Sequence, residues 1–231
     1  MDPRHLFADA RLTGNCVYCG GVPNTQDHCP SKVLLDEPLP PQLAVVDACE
    51  SCNQGFSKDE LYVACLIESV VCGSAAPHDV SRPKIRRLLE ENSALASALG
   101  AGQHKDSMGN LTWDIDVARV RNVLLKLARG HIAYELSLPQ LDEPDRFDFA
   151  PFALLSGEQR SAFESPIPEF TGWPEVGSRA FIRASKAFAG AGSYPWIVVQ
   201  PGRYRYLVDQ SDGNFVQIVL SEYLACRIGW S

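Results

Sequence analysis

Apolar residues at 117, 120, 123, 124, 127, 128 and 132 recur every three or four positions, which places them on one helical face and predicts a long helix over 116–136. Gly130 interrupts that pattern and marks a place where another segment can pack closely. A second helical pattern runs through "ELYVACLIESVV" to Cys72, its faces marked by Leu61, Ala64, Cys65, Ile67, Glu68 and Val71. "SKDE" at 57–60 is a capping-box pattern, so this helix is predicted to begin at Ser57. A third helix is predicted over 81–99, with Pro83 near its start. "GAGQHKDSMGN" (100–110) reads as a polar loop, and the Pro-, Asp- and Glu-rich stretch 137–175 reads as irregular.

Alternation of apolar and polar residues predicts strands elsewhere. "LAVVD" (43–47) is one, with "VPNTQDH" (22–28) as its partner. "SRAFIRAS", "PWIVVQ", "RYRYLVDQ", "NFVQIVLS" and "LACRIGW" read as C-terminal strands. "SDGN" (211–214) is a hairpin turn between two of them, because Asp-Gly accepts positive φ. The fold class is therefore α+β: a small N-terminal module over 1–74, then a body over 75–231 of helices and an antiparallel β-rich part.

Length and charge narrow the function. The 231 residues are 45% hydrophobic and carry a formal charge of −7, which argues against tight, free-standing nucleic-acid binding through a uniformly basic surface. No apolar run is long enough to span a membrane. The opening "MDPRHLFADARLTGN" lacks the apolar block of a signal peptide, so a cytoplasmic setting is expected. Thiols stay reduced there, and the eight cysteines read as metal ligands or buried thiols rather than disulfides.

Four of them have ligand spacing. Cys16-x-x-Cys19 and Cys49-x-x-Cys52 can each present two sulfurs to one tetrahedral ion. Four thiolates would close the shell of a zinc ion, which makes the site structural rather than catalytic. Cys29, Cys65, Cys72 and Cys226 lack partners at that spacing and read as packed thiols. Between the pairs lies Asp27-His28, and Asn53 follows the last ligand directly. Asp27-His28 also reads as a hydrogen-bonded turn pair, and Asn53 as a helix cap.

Taken together, "CVYCGGVPNTQDHCPSKVLL" and "LAVVDACESCNQGFSKDE" resemble the HNH endonuclease family, of the zinc-stapled, four-cysteine ββα-metal type. The shared pattern is a cysteine pair, Asp-His with a proline two residues on, a strand, and a second pair ending Cys-Asn. The resemblance covers residues 16 to 60. It implies that His28 is the general base, that Asp27 and Asn53 hold a catalytic Mg²⁺ or Mn²⁺, and that Cys16, Cys19, Cys49 and Cys52 hold structural Zn²⁺. It further implies hydrolysis of phosphodiester bonds in double-stranded DNA, in settings such as genome defence. Gln42 stands where many members of the family carry an Asn that supports the base. Asp59 and Glu60 either extend the metal site or cap the helix.

Two rival readings belong to other classes. One is a zinc-stabilised module that binds nucleic acid or protein without hydrolysis. The other is a nuclease subunit silent until a partner, a signal or self-association activates it. The basic clusters Arg82/Lys84/Arg86/Arg87, Arg119/Arg121/Lys126/Arg129 and Arg203/Arg205 are either phosphate contacts or solvated faces. Tyr204 and Tyr206 are a stacking surface or core, and His131 reads as a core histidine.

Overall fold

The computed structural model describes residues 14–165, 174, 176–190, 196–210 and 213–231. The chain opens with an antiparallel hairpin of β1 (Thr25–Cys29) and β2 (Ala44–Ala48), in a register that sets Asp27 opposite Val46 and His28 opposite Val45. Helix α1 (Glu50–Cys72) follows at once and ends on Gly73, whose φ of 75° suits a residue without Cβ. It begins seven positions before the predicted Ser57. The Cys49 Sγ accepts the Cys52 N–H and caps the first turn, so the metal-type knuckle itself starts the helix. Ser57 lies inside α1 and its hydroxyl turns back to the Asn53 carbonyl.

The predicted helix over 81–99 is two, α2 (Pro83–Glu91) and α3 (Ser93–Ala101). Asn92 divides them because its side chain accepts the Leu95 N–H and begins a new helix. The loop expected over 100–110 holds β3 (Gln103–Lys105), which pairs with β4 (Leu111–Trp113) just beyond it. Helix α4 (Val117–Leu136) is capped by Asp116 and matches the long periodic stretch.

The stretch read as irregular holds β5 (Arg146–Pro151) and α5 (Gly157–Glu164), the latter begun by a Ser156/Gln159 capping box. "SRAFIRAS" is a helix rather than a strand, α6 (Arg179–Phe188), capped by Ser178. Its apparent alternation hid a four-residue repeat, Ala180 and Ala184, which forms the buried face. The remaining strands are as predicted: β6 (Ile197–Gln200), β7 (Tyr204–Asp209), β8 (Asn214–Leu220) and β9 (Leu224–Trp230). With β5 they make an antiparallel sheet in the order β5-β9-β8-β7-β6. The turn read at 211–214 lies between β7 and β8, though residues 211 and 212 are outside the described residues.

Helix α4 is the axis of the molecule. It packs against α1, both strands of the N-terminal hairpin, α6 and the central strands of the large sheet. Val123, Leu124, Leu127, Ala128, Ile132 and Leu136 are fully enclosed, and one apolar core runs from Leu34 to Trp230. Gly130 is where β1 crosses α4: an added Cβ would stand 2.7 Å from Cys29 Sγ. No helix among the described residues is long and apolar enough to cross a membrane.

Candidate functional site

The first cysteine pair sits on a tight turn. The Cys16 amide donates to the Gly21 carbonyl at 2.7 Å and the Gly20 amide to the Cys16 carbonyl at 2.8 Å. Gly20 has φ of 73°, which only glycine adopts at little cost. The second pair is the first turn of α1. Asn24 Oδ1 accepts the Glu50 N–H at 2.7 Å and ties the hairpin to that helix start. The four ligand sulfurs then lie within 4.8 Å of one another. Cys19 and Cys49 Sγ are 3.8 Å apart, the edge of a tetrahedron with bonds of about 2.3 Å. The Cys49 thiol is lowered to about 7, chiefly by the Cys52 backbone N–H that points at it. This four-cysteine cluster can hold a metal ion of the kind that zinc exemplifies. Beneath it a small apolar cluster of Val17, Tyr18, Val46 and Ala48 supports the staple.

Successive residues of a strand face opposite ways. Asp27 is buried and His28 half-buried. Asp27 points into the molecule, where Tyr18 donates its hydroxyl to Oδ2 at 2.8 Å and Lys126 Nζ lies 2.7 Å from the same oxygen. Lys126, only 1% exposed, is also 2.6 Å from Glu60 Oε1 and 2.7 Å from Ser31 Oγ. Burial alone would lower the Lys126 pKa, but the Glu60 and Asp27 carboxylates outweigh it and hold the ammonium above its ordinary value. The rings of Tyr18 and Phe56 lie about 6 Å from the same nitrogen. The Tyr18 phenol is held well above its ordinary range by burial and by Asp27.

Asn53 comes back to the hairpin from α1. Its Nδ2 donates to the Gln26 carbonyl at 3.2 Å and to Thr25 Oγ1 at 3.3 Å. The staple thus brings Asn53 against the residue preceding Asp27, as its sequence position suggests. As arranged, the set does not fit a divalent ion at Asp27. Mg²⁺ keeps several waters, whereas the Asp27 side chain is only 10% exposed. Its Oδ2 already faces a cation and a hydroxyl, and a dication there would stand beside an ammonium. Glu60, read as a cap or a metal ligand, is a partner of Lys126 and Ser31 instead. Asp59 binds Arg119 and Asn122 of α4.

The basic clusters are largely spent inside the molecule. Arg82 and Arg203 share Asp36 and approach buried Glu68. Arg119 pairs with Asp59, and Arg205 with Glu164 and Glu222. Tyr204 and Tyr206 are core residues, so they form no exposed stacking surface. Cys29, Cys65 and Cys226 are buried thiols as read, while Cys72 is half-buried and donates to Glu68.

Lys126, Ser31 and Tyr18 carry the polar network around Asp27, and sequence reasoning missed their roles. One signal was legible: Lys126 falls on the turn between Val123 and Gly130, within the apolar stripe of α4. A lysine placed there must find an anion. No protein-family model, curated protein or solved structure matches this chain.

Proposed function

We propose that the chain is an HNH-type endonuclease, hydrolysing phosphodiester bonds of DNA, with its active-site hairpin in a resting arrangement. One observation supports this most. The four-cysteine staple, read as a structural zinc site, closes β1, β2 and α1 into a unit in which Asn53 is hydrogen-bonded beside the Asp27-His28 dipeptide. In this reading His28 takes a proton from water, the water oxygen attacks phosphorus, and the bond to the 3′ oxygen breaks. A half-buried imidazole that is neutral can take that proton. Asp27 and Asn53 are the positions assigned by resemblance to a Mg²⁺ or Mn²⁺ ion. The Lys126 ion pair neutralises Asp27, so the cutting form requires that pair to open when DNA, a partner protein or a second copy binds. A reducing cytoplasm would keep the thiols ready for zinc.

The same ion pair favours a second reading, a zinc-stabilised binding module with no hydrolysis, in which Asp27 is purely structural. Plasmid cleavage in Mg²⁺ or Mn²⁺ separates the two. For the nuclease, wild type cuts slowly, Lys126→Gln cuts faster, and His28→Ala in either background loses about 10²–10⁴ in rate. If folded wild type and Lys126→Gln are both inert with either metal, the binding-module reading stands instead.

A further inference from the structure

Strand β6 is an edge of the five-stranded sheet: among the described residues it pairs with β7 alone. Its outer side therefore presents a row of N–H and C=O groups, a ready template for a further strand. A cavity of about 570 Å³ lies against that edge, a volume in the range of binding sites, about 300–1,000 Å³. Ile197, Val198 and Val199 all line it. Successive side chains of a strand leave by opposite faces, so three consecutive residues share one cavity along the strand's edge rather than over a face.

The facing wall is again three consecutive residues, Pro40, Pro41 and Gln42. The sequence explains the gap between the two walls. Gln200, the last residue of β6, grips the backbone of Asp36: its Nε2 donates to the Asp36 carbonyl at 3.0 Å, and its Oε1 accepts the Asp36 N–H at 2.8 Å. The two segments lie side by side at that point. Pro38, Pro40 and Pro41 then follow, and proline has no N–H to give a neighbouring strand. The segment rejoins a strand at Ala44, the first residue of β2, which lines the cavity together with its partner Cys29.

Helices α4 and α6 supply the floor. Glu135 of α4 is buried there with both oxygens engaged, Oε1 accepting the Tyr206 hydroxyl at 2.5 Å and Oε2 accepting from Arg183. That carboxylate is answered within the protein. Ile182 of α6 adds apolar surface, and one turn further along the same helix Lys186 stands at the rim. Lys186 is exposed and makes no ion pair among the described residues.

We propose that this slot takes an extended peptide segment of a partner protein as a sixth strand on β6, apolar at alternate positions and acidic where it passes Lys186. Main-chain hydrogen bonds to the β6 edge supply the affinity, and alternate side chains entering the slot supply the selectivity. A segment matching the four residues of β6 spans about 13 Å. A free small anion could meet Lys186 but has no peptide groups for the sheet edge, which is why a peptide is the occupant. The inference does not rest on the nuclease reading.

The test is an NMR titration of the whole chain with capped peptides. The first probe is acetyl-Val-Ser-Glu-Ser-Val-amide, and the second has Lys in place of its Glu. Two further forms of the first probe are N-methylated on alternate residues, odd or even, so that one edge of the peptide loses its N–H groups while the other keeps them. The Glu probe should shift the Val198 and Val199 amides saturably. One methylated form should bind at least about tenfold more weakly, because its hydrogen bonds to β6 are gone, and the other should bind nearly as well as the parent. The Glu probe should bind about three- to fivefold tighter than the Lys probe, as an exposed ion pair allows. Lys186→Glu, at an exposed position where folding is safe, should reverse that order. No saturable shift at β6, equal binding of the two methylated forms, or an order of the charged probes that Lys186→Glu leaves unchanged overturns the proposal. None of these outcomes depends on whether His28 supports cleavage.

Discussion

Lys126 Nζ stands 2.7 Å from Asp27 Oδ2, so the carboxylate beside the candidate base is fastened to the central helix of the fold. Glu60 and Ser31 complete the ammonium's surroundings, and three separate segments meet on one buried charge. Removing a single member of such a pair is costly, because the partner stays buried without compensation. Lys126→Met leaves Asp27 and Glu60 together with no cation between them. It should lower stability by about 3–5 kcal/mol, measured by urea unfolding at neutral pH. Asp27→Asn and the double variant complete a cycle, and a coupling energy above about 0.5 kcal/mol is expected for groups in direct contact. Additive losses would mean that the pair does not form in solution.

Gly130 gives a second, steric prediction. In an open helix, Gly→Ala would stabilise by about 1 kcal/mol. Here the new Cβ would meet Cys29 Sγ at 2.7 Å and Cys29 Cβ at 3.3 Å. Gly130→Ala should therefore destabilise, by about 1–3 kcal/mol as overpacking does. Cys29→Ala removes the nearer atom and should recover part of that loss in the double variant. A stabilised Gly130→Ala would mean that β1 does not pack on α4 as closely as described.

What the sequence revealed and what it hid follow the range of the interactions. The zinc-type staple was legible because two ligand pairs carry their geometry in local spacing, and α4 because its periodicity is long. The start of α1 was misplaced because the cap is a thiol, Cys49, whereas Ser57 offered a better-looking local signal. Helix α6 was misread because short alternating stretches fit both periods, and only the packing of Ala180 and Ala184 decides between them. The environment of Asp27 was illegible because Lys126 reaches it from a distant helix. Local spacing says which residues bear chemistry, and tertiary contacts decide which of them remain available for it.

Metal removal should act on structure first. The cluster of Cys16, Cys19, Cys49 and Cys52 starts α1 and closes the hairpin, so an ion held there would contribute directly to folding free energy. Purified chain is expected to carry about one zinc, and a strong chelator should expose to hydrogen exchange the Val17 amide of the first cysteine turn, which donates to Asp47 of β2 at 3.0 Å. Cys49→Ala should lose the metal and the same protection, while Asp27→Asn keeps the zinc. Full metal content in folded Cys49→Ala would overturn the four-thiol assignment.

His131 sets the pH dependence of stability. It is fully enclosed, its Nε2 is 2.7 Å from the Tyr204 hydroxyl, and its ring stacks on Tyr206 with centroids 3.6 Å apart. Burial, and then the Lys126 charge, hold its pKa well below the ordinary histidine value. The unfolded chain therefore takes up a proton near pH 6.5 that the folded chain refuses. Stability is full above that pH and declines as pH falls below about 6.5, by up to about 1.4 kcal/mol per unit for one group. The acidic counterparts lie lower: Asp36, where Arg203 and Arg82 outweigh the effect of burial, and Glu164, held down by Arg205, lose their contributions only below about pH 4. Urea unfolding between pH 7 and pH 4.5 isolates the histidine when wild type is compared with His131→Gln, which keeps a polar group near Tyr204 but cannot titrate. Thiolates of the metal cluster take up protons equally in both chains, so the difference in slope belongs to His131. A shallower slope for His131→Gln is expected, and equal slopes would show that His131 is not the group that titrates on unfolding.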